Sequence, residues 1–517
     1  MKRKTSLRIA LLSLLSAMTA WLILTFDATD PAITLSIGGP FEFTSQEPSK
    51  DGFIYTRMQV AETLVKVEPD GTLTPGLASH WQESDDRLRW RFELREGVRF
   101  HDGTLMSADS VVQSLRAALT KPSMLHQANI VALSSDEEAL LLTLAHPYRS
   151  LPALLAHYHS VILAPNSYDP DGNVHQLIGS GPYQIHAVKP PHKLVTRRFG
   201  DYWGPKAEIE YARYLTGHRA ESRALQAQSN QADLIYTLDP ASLEMLGRLQ
   251  QVEIASESIP RTAMIKLNNG HPMLDTPEVR QAISLALDRT GMAEHVVRVP
   301  GSEAYQLFPP SLAAWHLAQP PQQQRDLAKA KALLADQGWQ ADDEGLLWRD
   351  GVPFALPLVT YADRPELTVI ATAIQAQLRE VGIQLTVVVD NSSAIPAGHH
   401  DGSLAMALVA RNYGVIADPL AVMLDDNASH HGSDWGHMNW SDPALNALLD
   451  TMTQSRDADE YHALAQQAAL HYAEAMPVIP VVFYTQQIAI AQRLDNFQFD
   501  PFELNYRLSE MRFTPHD

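Results

Sequence analysis

The residues best suited to hold a ligand lie between positions 409 and 440. An apolar run from Leu404 to Ala410 is typical of a buried strand, so the polar residues after it should emerge at a strand end. Those residues are Arg411, Asn412 and Tyr413. Open α/β folds bind ligands at strand ends and in the loops that follow them, so we predict that these three residues contact a ligand.

A second polar segment, from Ala428 to Trp440, contains His430, His431 and Trp435. We interpret this segment and residues 411–413 as parts of one ligand-binding loop. Neutral imidazole is a good ligand for nickel, cobalt, copper and zinc, so His430 and His431 are candidate metal ligands. The alternative is that they are ordinary solvated loop histidines, since the chain has 21 of them.

Arg411 is the candidate partner for an anionic group. Its planar guanidinium can hold a carboxylate through two parallel hydrogen bonds. The alternative is an ordinary ion pair with an acidic residue of the protein itself.

The composition excludes several classes of function. With 517 residues, 45% of them hydrophobic, the chain should fold into more than one domain. A net charge of −20 argues against nucleic acid and anionic lipid as partners. The absence of cysteine excludes disulfides, thiolate metal sites, a cysteine nucleophile and a lipid-modified cysteine anchor. There is no H-E-x-x-H, G-x-S-x-G or P-loop motif, so we predict that the protein is not an enzyme.

The N-terminus indicates export. Lys2, Arg3, Lys4 and Arg8 precede an uncharged apolar run from Ile9 to Phe26. We predict that residues 1–28 are a secretory signal peptide or, because the run is long, an N-terminal membrane anchor. The expected location is the periplasm, with tethering to the inner membrane as the alternative.

Periodicity predicts alternating strands and helices. Arg87 to Leu94 alternates as a half-buried strand, with Val98 to Phe100 as its hairpin partner, and Gly52 to Lys66 is expected to form an amphipathic helix. Further elements are predicted at 278–287 and 328–337 (helices), 354–360 (strand), 366–381 (helix), 383–389 (strand), 443–453 and 458–474 (helices), and 478–490 (strand). This order is typical of an α/β fold.

Several motifs occur in an order that resembles one protein family. They are VAETLVK and the following DGTLTPGLASHW, then WRFELR, VRFHDG, IGSGPY at 178–183, DYWG at 201–204 and VRQAISLALDR at 279–289. Together they resemble the oligopeptide/nickel class of ABC-importer solute-binding proteins, the bacterial extracellular solute-binding proteins of family 5. The resemblance covers nearly all of the chain after the signal.

The resemblance implies an architecture. We expect a two-lobed α/β periplasmic-binding-protein fold of type II (Venus flytrap), with an extra subdomain in the first lobe. The first lobe would comprise residues 29–265 plus 484–517, and the second lobe residues 266–483. Such a protein is expected to be monomeric, to close on a small solute held by both lobes, and to deliver it to the transmembrane subunits of an ABC permease.

The resemblance also bears on the ligand. Peptide binders of the class have a G-D-x-x-D-P loop whose first aspartate pairs with the peptide amine, but Val415 stands at that position here. Tyr413 before the glycine fits the nickel-binding branch, which places a metal-ligating histidine on the following loop, where His430 and His431 lie. We therefore predict capture of nickel or a related metal as a small organic chelate, with an oligopeptide or dipeptide, or heme, as the alternative ligand.

One feature of the nickel branch is missing. Its carboxylate-holding arginine before the A-P strand end has no counterpart in the segment HYHSVILAP, residues 157–165. His157 and His159 are predicted to contact a differently built chelate; the alternative is a surface loop.

Overall fold

The computed structural model describes residues 33–217, 219–321, 324–362 and 364–514. The predicted signal peptide or anchor, residues 1–28, lies outside this part of the chain. Within the described residues, no helix is both long enough and apolar enough to cross a membrane.

A ten-stranded mixed sheet lies at the centre of the fold. Numbered in chain order, its strands are β1 Thr34–Gly39, β2 Tyr183–Lys189, β3 Lys193–Arg198, β4 Tyr211–Thr216, β5 Leu234–Tyr236, β6 Val252–Leu267, β7 Ala355–Tyr361, β8 Gln384–Asp390, β9 Met406–Asn412 and β10 Val478–Ala491. Their spatial order is β8-β7-β9-β6-β10-β5-β1-β4-β3-β2. Strand β1 runs parallel to β4 and β5, and β7 runs parallel to β8 and β9.

Two long antiparallel strands, β6 and β10, join the two halves of this sheet. The first part of β6 pairs with 485–491, and its last part pairs with 478–483. The register shifts between Ser258 and Thr262, at the point where the partner residues change from Thr485 to Phe483. The chain therefore crosses between the two halves of the sheet at this irregularity.

Smaller sheets surround the main one. A four-stranded antiparallel sheet contains Ala78–Glu83, Arg89–Leu94, Ala139–Leu144 and Ile130–Asp136. The others pair Val65–Val67 with Leu73–Pro75, Gln340–Ala341 and Val352–Pro353 with Leu347–Arg349, and Leu494–Asp495 with Arg512–Phe513.

The α-helices span Pro48–Arg57, Ala108–Leu119, Leu151–Leu154, Ala220–Gln228, Pro240–Leu246, Pro277–Ala286, Arg289–Gly291, Leu327–Asp336, Pro365–Arg379, Ala394–Asp401, Leu420–Asp426, Pro443–Gln454 and Ala458–Ala475. The β-α-β unit predicted at 354–389 is confirmed as β7, the helix Pro365–Arg379 and β8. The other helices predicted after residue 277, and the strand β10, also form within about two residues of the expected ends.

Two expectations for the N-terminal region are wrong. The helix predicted at 52–66 instead ends at Arg57, because Gln59 has a positive φ of 53° and the chain turns into the strand Val65–Val67. The strand Arg89–Leu94 pairs with Ala78–Glu83 and Ala139–Leu144, whereas 98–100 forms only an isolated bridge between Arg99 and Leu105. The long-range pairing replaces the short hairpin because it buries Trp90 and Phe92.

The buried side chains fall into separate clusters. The largest contains residues from Ala263 to Val482 only. A second cluster contains residues from 64 to 164, together with Ile416 and Ala421. We call residues 64–164 the outer subdomain and this cluster its core. A third combines residues 35–236 with 488–511. This partition supports the domain bounds expected from the sequence, which nevertheless stay a prediction.

Candidate functional site

The strand end predicted to carry the ligand lies beside the crossing strand β6. In the sheet, Asn412 is opposite Arg261, and the Tyr413 N–H donates to the Pro260 carbonyl over 2.7 Å. Asn412 uses its side-chain oxygen to accept the Gly414 N–H at 2.9 Å. A Cβ on Gly414 would lie 2.2 Å from Pro260 Cγ, so only glycine permits this approach. The predicted residues are thereby fixed near the point where the chain crosses between the lobes.

Arg411 is engaged by an acid of the protein itself. Its guanidinium forms an ion pair with Asp426, which is 1% exposed and also accepts the Ser433 hydroxyl. Burial alone would lower the pKa of Arg411, but Asp426 outweighs it and the pKa is raised. The alternative stated for this residue, an internal ion pair, is therefore present; contact with a solute stays a prediction.

Tyr413 and Trp435 occupy different environments. Tyr413 is 1% exposed, with its ring 5.1 Å from that of Phe308 and its hydroxyl 3.5 Å from Met264 Sδ. Burial raises the pKa of its phenol. Trp435 is half-buried and meets Tyr361 edge to face at 5.7 Å. Only Trp435 therefore offers ring surface to solvent.

His430 and His431 lie on the surface. Both are exposed, with ring centres 6.0 Å apart, and their Nδ1 atoms lie 3.4 Å from Ser441 Oγ and 3.2 Å from Asn439 Oδ1. Gly432 follows with a φ of 80°. Across the described residues, no three His, Cys, Asp or Glu side chains are grouped so that they could hold a metal ion.

A buried lysine fixes the loop that carries these histidines. Lys266 is 1% exposed and donates from Nζ to the carbonyls of Ser433 at 2.9 Å and Gly436 at 2.7 Å. Burial lowers the pKa of Lys266 to about 7. The neighbouring His437 is fully buried, with Nδ1 2.9 Å from the Tyr472 hydroxyl, and burial lowers its pKa to about 4. The base of the loop is thus part of the interior of the second lobe.

His157 and His159 are held by backbone groups of the first lobe. The Nδ1 of His157 accepts the His159 N–H, and the Nδ1 of His159 accepts the Met124 N–H, each at 3.2 Å. Burial lowers the pKa of both imidazoles, to about 4 for His159. They are neutral at physiological pH. No contact between described residues brings this pair to His430 and His431.

Tyr158 connects these histidines to an aromatic strip on the first lobe. The strip consists of Phe41, Phe53, Tyr158 and His159, all half-buried. The Phe53 and Tyr158 rings are 6.4 Å apart, and those of Tyr158 and His159 4.7 Å apart. At its other end lies Arg57, whose guanidinium carbon is 5.2 Å from the Phe41 ring centre and 5.4 Å from that of Phe53. A cation flanked by aromatic faces is a typical site for an anionic, partly apolar ligand.

Arg57 is one of three arginines around a single carboxylate, Glu503. Arg261 Nη2 lies 2.9 Å from Glu503 Oε2, and Arg57 Nε donates to the Glu503 carbonyl at 2.6 Å. Arg364 donates to the Tyr484 hydroxyl at 3.0 Å. We call Arg57, Arg261 and Arg364 the arginine cluster. Burial would raise the pKa of Glu503, but the three guanidiniums outweigh it and lower the pKa to about 2.

Two further acids border the arginine cluster. Glu366 bonds to Tyr484 and acts electrostatically on Arg364. Asp500 is buried, and its carboxylate accepts the N–H groups of Phe502, Leu504 and Asn505, each at 2.9 Å. Burial raises the pKa of Asp500 to about 6 despite these bonds. Because Asp500 is occupied by its own loop, Glu503 is the only acid paired directly with the cluster among the described residues.

The arginine cluster draws on both predicted lobes. Arg57 and Glu503 belong to the first lobe, Arg364 begins the second-lobe segment after β7, and Arg261 lies on the crossing strand. Sequence analysis missed all three arginines. No local pattern marks them, since the helix that ends at Arg57 also contains Lys50 and Asp51. The arrangement can hold carboxylates through charge-assisted hydrogen bonds while aromatic rings cover the rest of a ligand.

A cavity in the predicted first lobe adjoins this region, since Asp500 is among its lining residues. Its volume is about 370 Å³, and its lining includes Glu62, Tyr202 and Arg507. The buried Glu62 carboxylate is already saturated by Tyr202, Trp203 and Ser180, at 3.0, 3.0 and 2.9 Å. Because these three side chains already engage it, the Glu62 carboxylate has a structural role. We therefore place the candidate site at the arginine cluster.

Comparison with known proteins agrees with this architecture. A nickel-binding periplasmic protein of Escherichia coli (strain K12) is 24% identical over 87% of this chain and 88% of its own length. The crystal structure of NikA from Brucella suis in complex with Fe(III)-EDTA matches with a TM-score of 0.84 and 23% identity, covering 93% of this chain and 100% of that one. The oligopeptide-binding protein AppA of Bacillus subtilis, in complex with a nonapeptide, matches with a TM-score of 0.78 and 19% identity over 93% and 99%.

These matches confirm the two-lobed α/β periplasmic-binding-protein fold. The profile of bacterial extracellular solute-binding proteins, family 5 (middle), matches residues 72–432, more than half of the chain. The protein therefore belongs to the bacterial extracellular solute-binding proteins of family 5, the binding components of ABC importers.

Proposed function

We propose that this protein captures nickel or a related transition metal outside the cytoplasm, as a complex with a small carboxylate chelator, and delivers it to an ABC permease. It acts as a monomer in the periplasm and carries out no covalent chemistry. The metal is cargo, held mainly by its chelator.

The observation that carries this proposal is the arginine cluster beside the aromatic strip. A chelate of a divalent metal with a polycarboxylate presents carboxylate oxygens on its outside. Arg57 from the first lobe and Arg364 from the second both act electrostatically on Glu503, and we expect one chelate to contact both. Ligand contacts made by both lobes at once are what drive closure in a hinged binder. Arg57 thus binds the chelator carboxylate, the role of the family's arginine that has no counterpart in residues 157–165.

The same region offers little to the ammonium group of a peptide. Val415 stands where the peptide-binding pattern has aspartate. Asp418 accepts the hydroxyls of Ser150 and Tyr461 and the Leu420 N–H, so both of its oxygens are occupied. An ammonium buried without a carboxylate partner costs several kcal/mol.

A peptide ligand remains the second candidate, since relatives include peptide binders such as AppA. Its favouring observation is Glu503, an acid at the cluster with an oxygen left for a ligand amine. The two candidates differ in whether binding needs a metal.

Calorimetry distinguishes them. Purified protein freed of bound solute is titrated with Ni(II)–bis(L-histidine), with Fe(III)-EDTA, and with metal-free di- to pentapeptides. We expect micromolar or tighter binding of at least one metal complex and none of the peptides. Native mass spectrometry of protein isolated from rich medium should show a bound metal complex. Micromolar binding of a peptide without metal, with no complex bound, would reject the metal-chelate function.

A further inference from the structure

The loop after β9 is tied to a part of the chain that lies far away in sequence. Asp418 Oδ2 accepts the hydroxyl of Ser150, 268 positions earlier, at 2.9 Å. Its Oδ1 accepts the Tyr461 hydroxyl at 2.5 Å and the Leu420 N–H at 3.0 Å. Ser150 belongs to the outer subdomain, whereas Tyr461 lies on the second-lobe helix Ala458–Ala475. One carboxylate therefore joins the two bodies.

Other polar contacts continue the junction on both sides of Asp418. Arg149 stacks on Tyr461, with its guanidinium carbon 4.3 Å from the ring centre, and donates to the Ser455 carbonyl at 3.2 Å. Arg87 donates to the Gln454 carbonyl. Arg456, in the opposite direction, donates to the Asp85 carbonyl. We call this set of contacts, together with Asp418, the seam.

The apolar side of the loop makes the same crossing. Ile416 and Ala421, which flank Asp418, are 1% and 0% exposed and belong to the core of the outer subdomain. The loop that begins in the second lobe is thus packed into the first. The seam involves no residue of the arginine cluster, so its contacts are separate from the residues proposed to bind the solute.

We propose that Asp418 is a positioning residue that fastens the ligand loop to the outer subdomain and stabilises the closed arrangement of the lobes. With both oxygens engaged by the protein, Asp418 does not touch the solute. It raises affinity by reducing the fraction of molecules that must close. The inference rests on the proposed function only in placing the solute between the lobes.

The test is a measurement of closure without solute. Because the chain has no cysteine, Glu137→Cys and Asp343→Cys, both exposed, allow a donor and an acceptor dye to be attached, one to each body. Asp418→Asn should shift the closed-to-open ratio about tenfold toward open, the effect of losing one hydrogen bond to a charged group. Ser150→Ala should act in the same direction, and the double variant should shift no further than Asp418→Asn alone.

Asp425→Asn is the control, because Asp425 is an exposed acid of the helix that follows Asp418 and lies outside the seam. If Asp418→Asn fails to fold, Ser150→Ala decides the question from the other side of the contact. With Ni(II)–bis(L-histidine) as the probe, the affinity of Asp418→Asn should fall by the same factor as its closed-to-open ratio.

Unchanged dye distances in both variants would overturn the inference. So would a loss of affinity while the dye distances stay unchanged. A probe that fails to bind even the parent protein counts against the proposed function, while the distances without solute still decide the role of Asp418.

Discussion

Arg261 and Glu503 form a buried ion pair at 2.9 Å, between a crossing strand and a C-terminal segment that lies 242 positions away. Arg261 is 6% exposed, and its Nη1 has no hydrogen-bond partner among the described residues. Glu503 has a positive φ of 55°, a strained conformation for a residue with a Cβ. A buried donor without a partner, opposite a strained acid, is the arrangement expected where a ligand anion completes the bonding.

The first prediction concerns Arg57. Arg57→Ala should weaken binding of Ni(II)–bis(L-histidine) or Fe(III)-EDTA, whichever binds the parent, by about ten- to a hundredfold, because a charge-assisted hydrogen bond contributes about 1.5–3 kcal/mol. Arg116→Ala, an exposed arginine of the outer subdomain, is the control and should bind as the parent does. Calorimetry measures both. Equal affinities for parent and Arg57→Ala would remove Arg57 from the site.

What the sequence could predict depended on how local the cause was. The β-α-β unit from β7 to β8 follows from apolar periodicity and from Gly382, so it was predicted closely. The strand end at Asn412 was likewise predicted from the preceding apolar run. That Arg411 would pair with Asp426 could not be foreseen, since several acids of the following segment were equally plausible partners.

The arginine cluster could not be predicted for the same reason. Its members lie at positions 57, 261 and 364, and the carboxylate they share is at position 503. Only the packing of the crossing strands and the C-terminal segment brings them together. Local patterns describe strands and helices well, but long-range charge pairing is a property of the assembled fold.

The second prediction uses the pKa of Glu503, which is lowered from an ordinary 4.5 to about 2. The ionised carboxylate therefore stabilises the folded state above pH 4.5, and this contribution is lost as the pH falls through that range to about 2. Its size is on the order of 3 kcal/mol. Glu503→Gln should thus be less stable than the parent at pH 6, with a smaller difference at pH 3.

Urea denaturation at the two pH values checks this. Glu510→Gln, an exposed acid of the same C-terminal segment, serves as the control. A stability difference between Glu503→Gln and the parent that stays constant between pH 6 and pH 3 would contradict the depressed pKa.

The third prediction tests the surface histidines. The variant with His430→Ala and His431→Ala should retain less of a metal chelate while folding normally, because exposed side chains contribute little to core packing. Retention by the parent should fall at acidic pH, since protons compete with the metal for imidazole nitrogen. Metal content after gel filtration at pH 7.5 and pH 5.5 is the measurement.

An equally exposed pair, His80→Ala with His126→Ala, controls for the general loss of histidines. If the parent and the variant lacking His430 and His431 retain equal metal at both pH values, these histidines are solvated and ligation belongs to the chelator alone. The arginine cluster would then be the whole recognition site.

The fourth prediction concerns Val415, which packs half-buried against the second-lobe core. In the parent, a peptide ammonium near this side chain lacks a partner, so metal-free di- to pentapeptides should not bind at micromolar concentrations. Val415→Asp supplies the missing carboxylate and should raise peptide affinity at least tenfold, provided that the peptide amine sits where the family pattern places it. Val415→Asn is the control. Asparagine is similar in size to aspartate but neutral, so this variant separates the effect of the charge from that of losing the valine, and it should leave peptide affinity unchanged.

Calorimetric titration of the three proteins with the same peptide set measures these affinities. Tight peptide binding by the parent would show that another acid, with Glu503 the nearest to the cluster, already pairs with the amine, and the metal-chelate proposal would give way to a peptide.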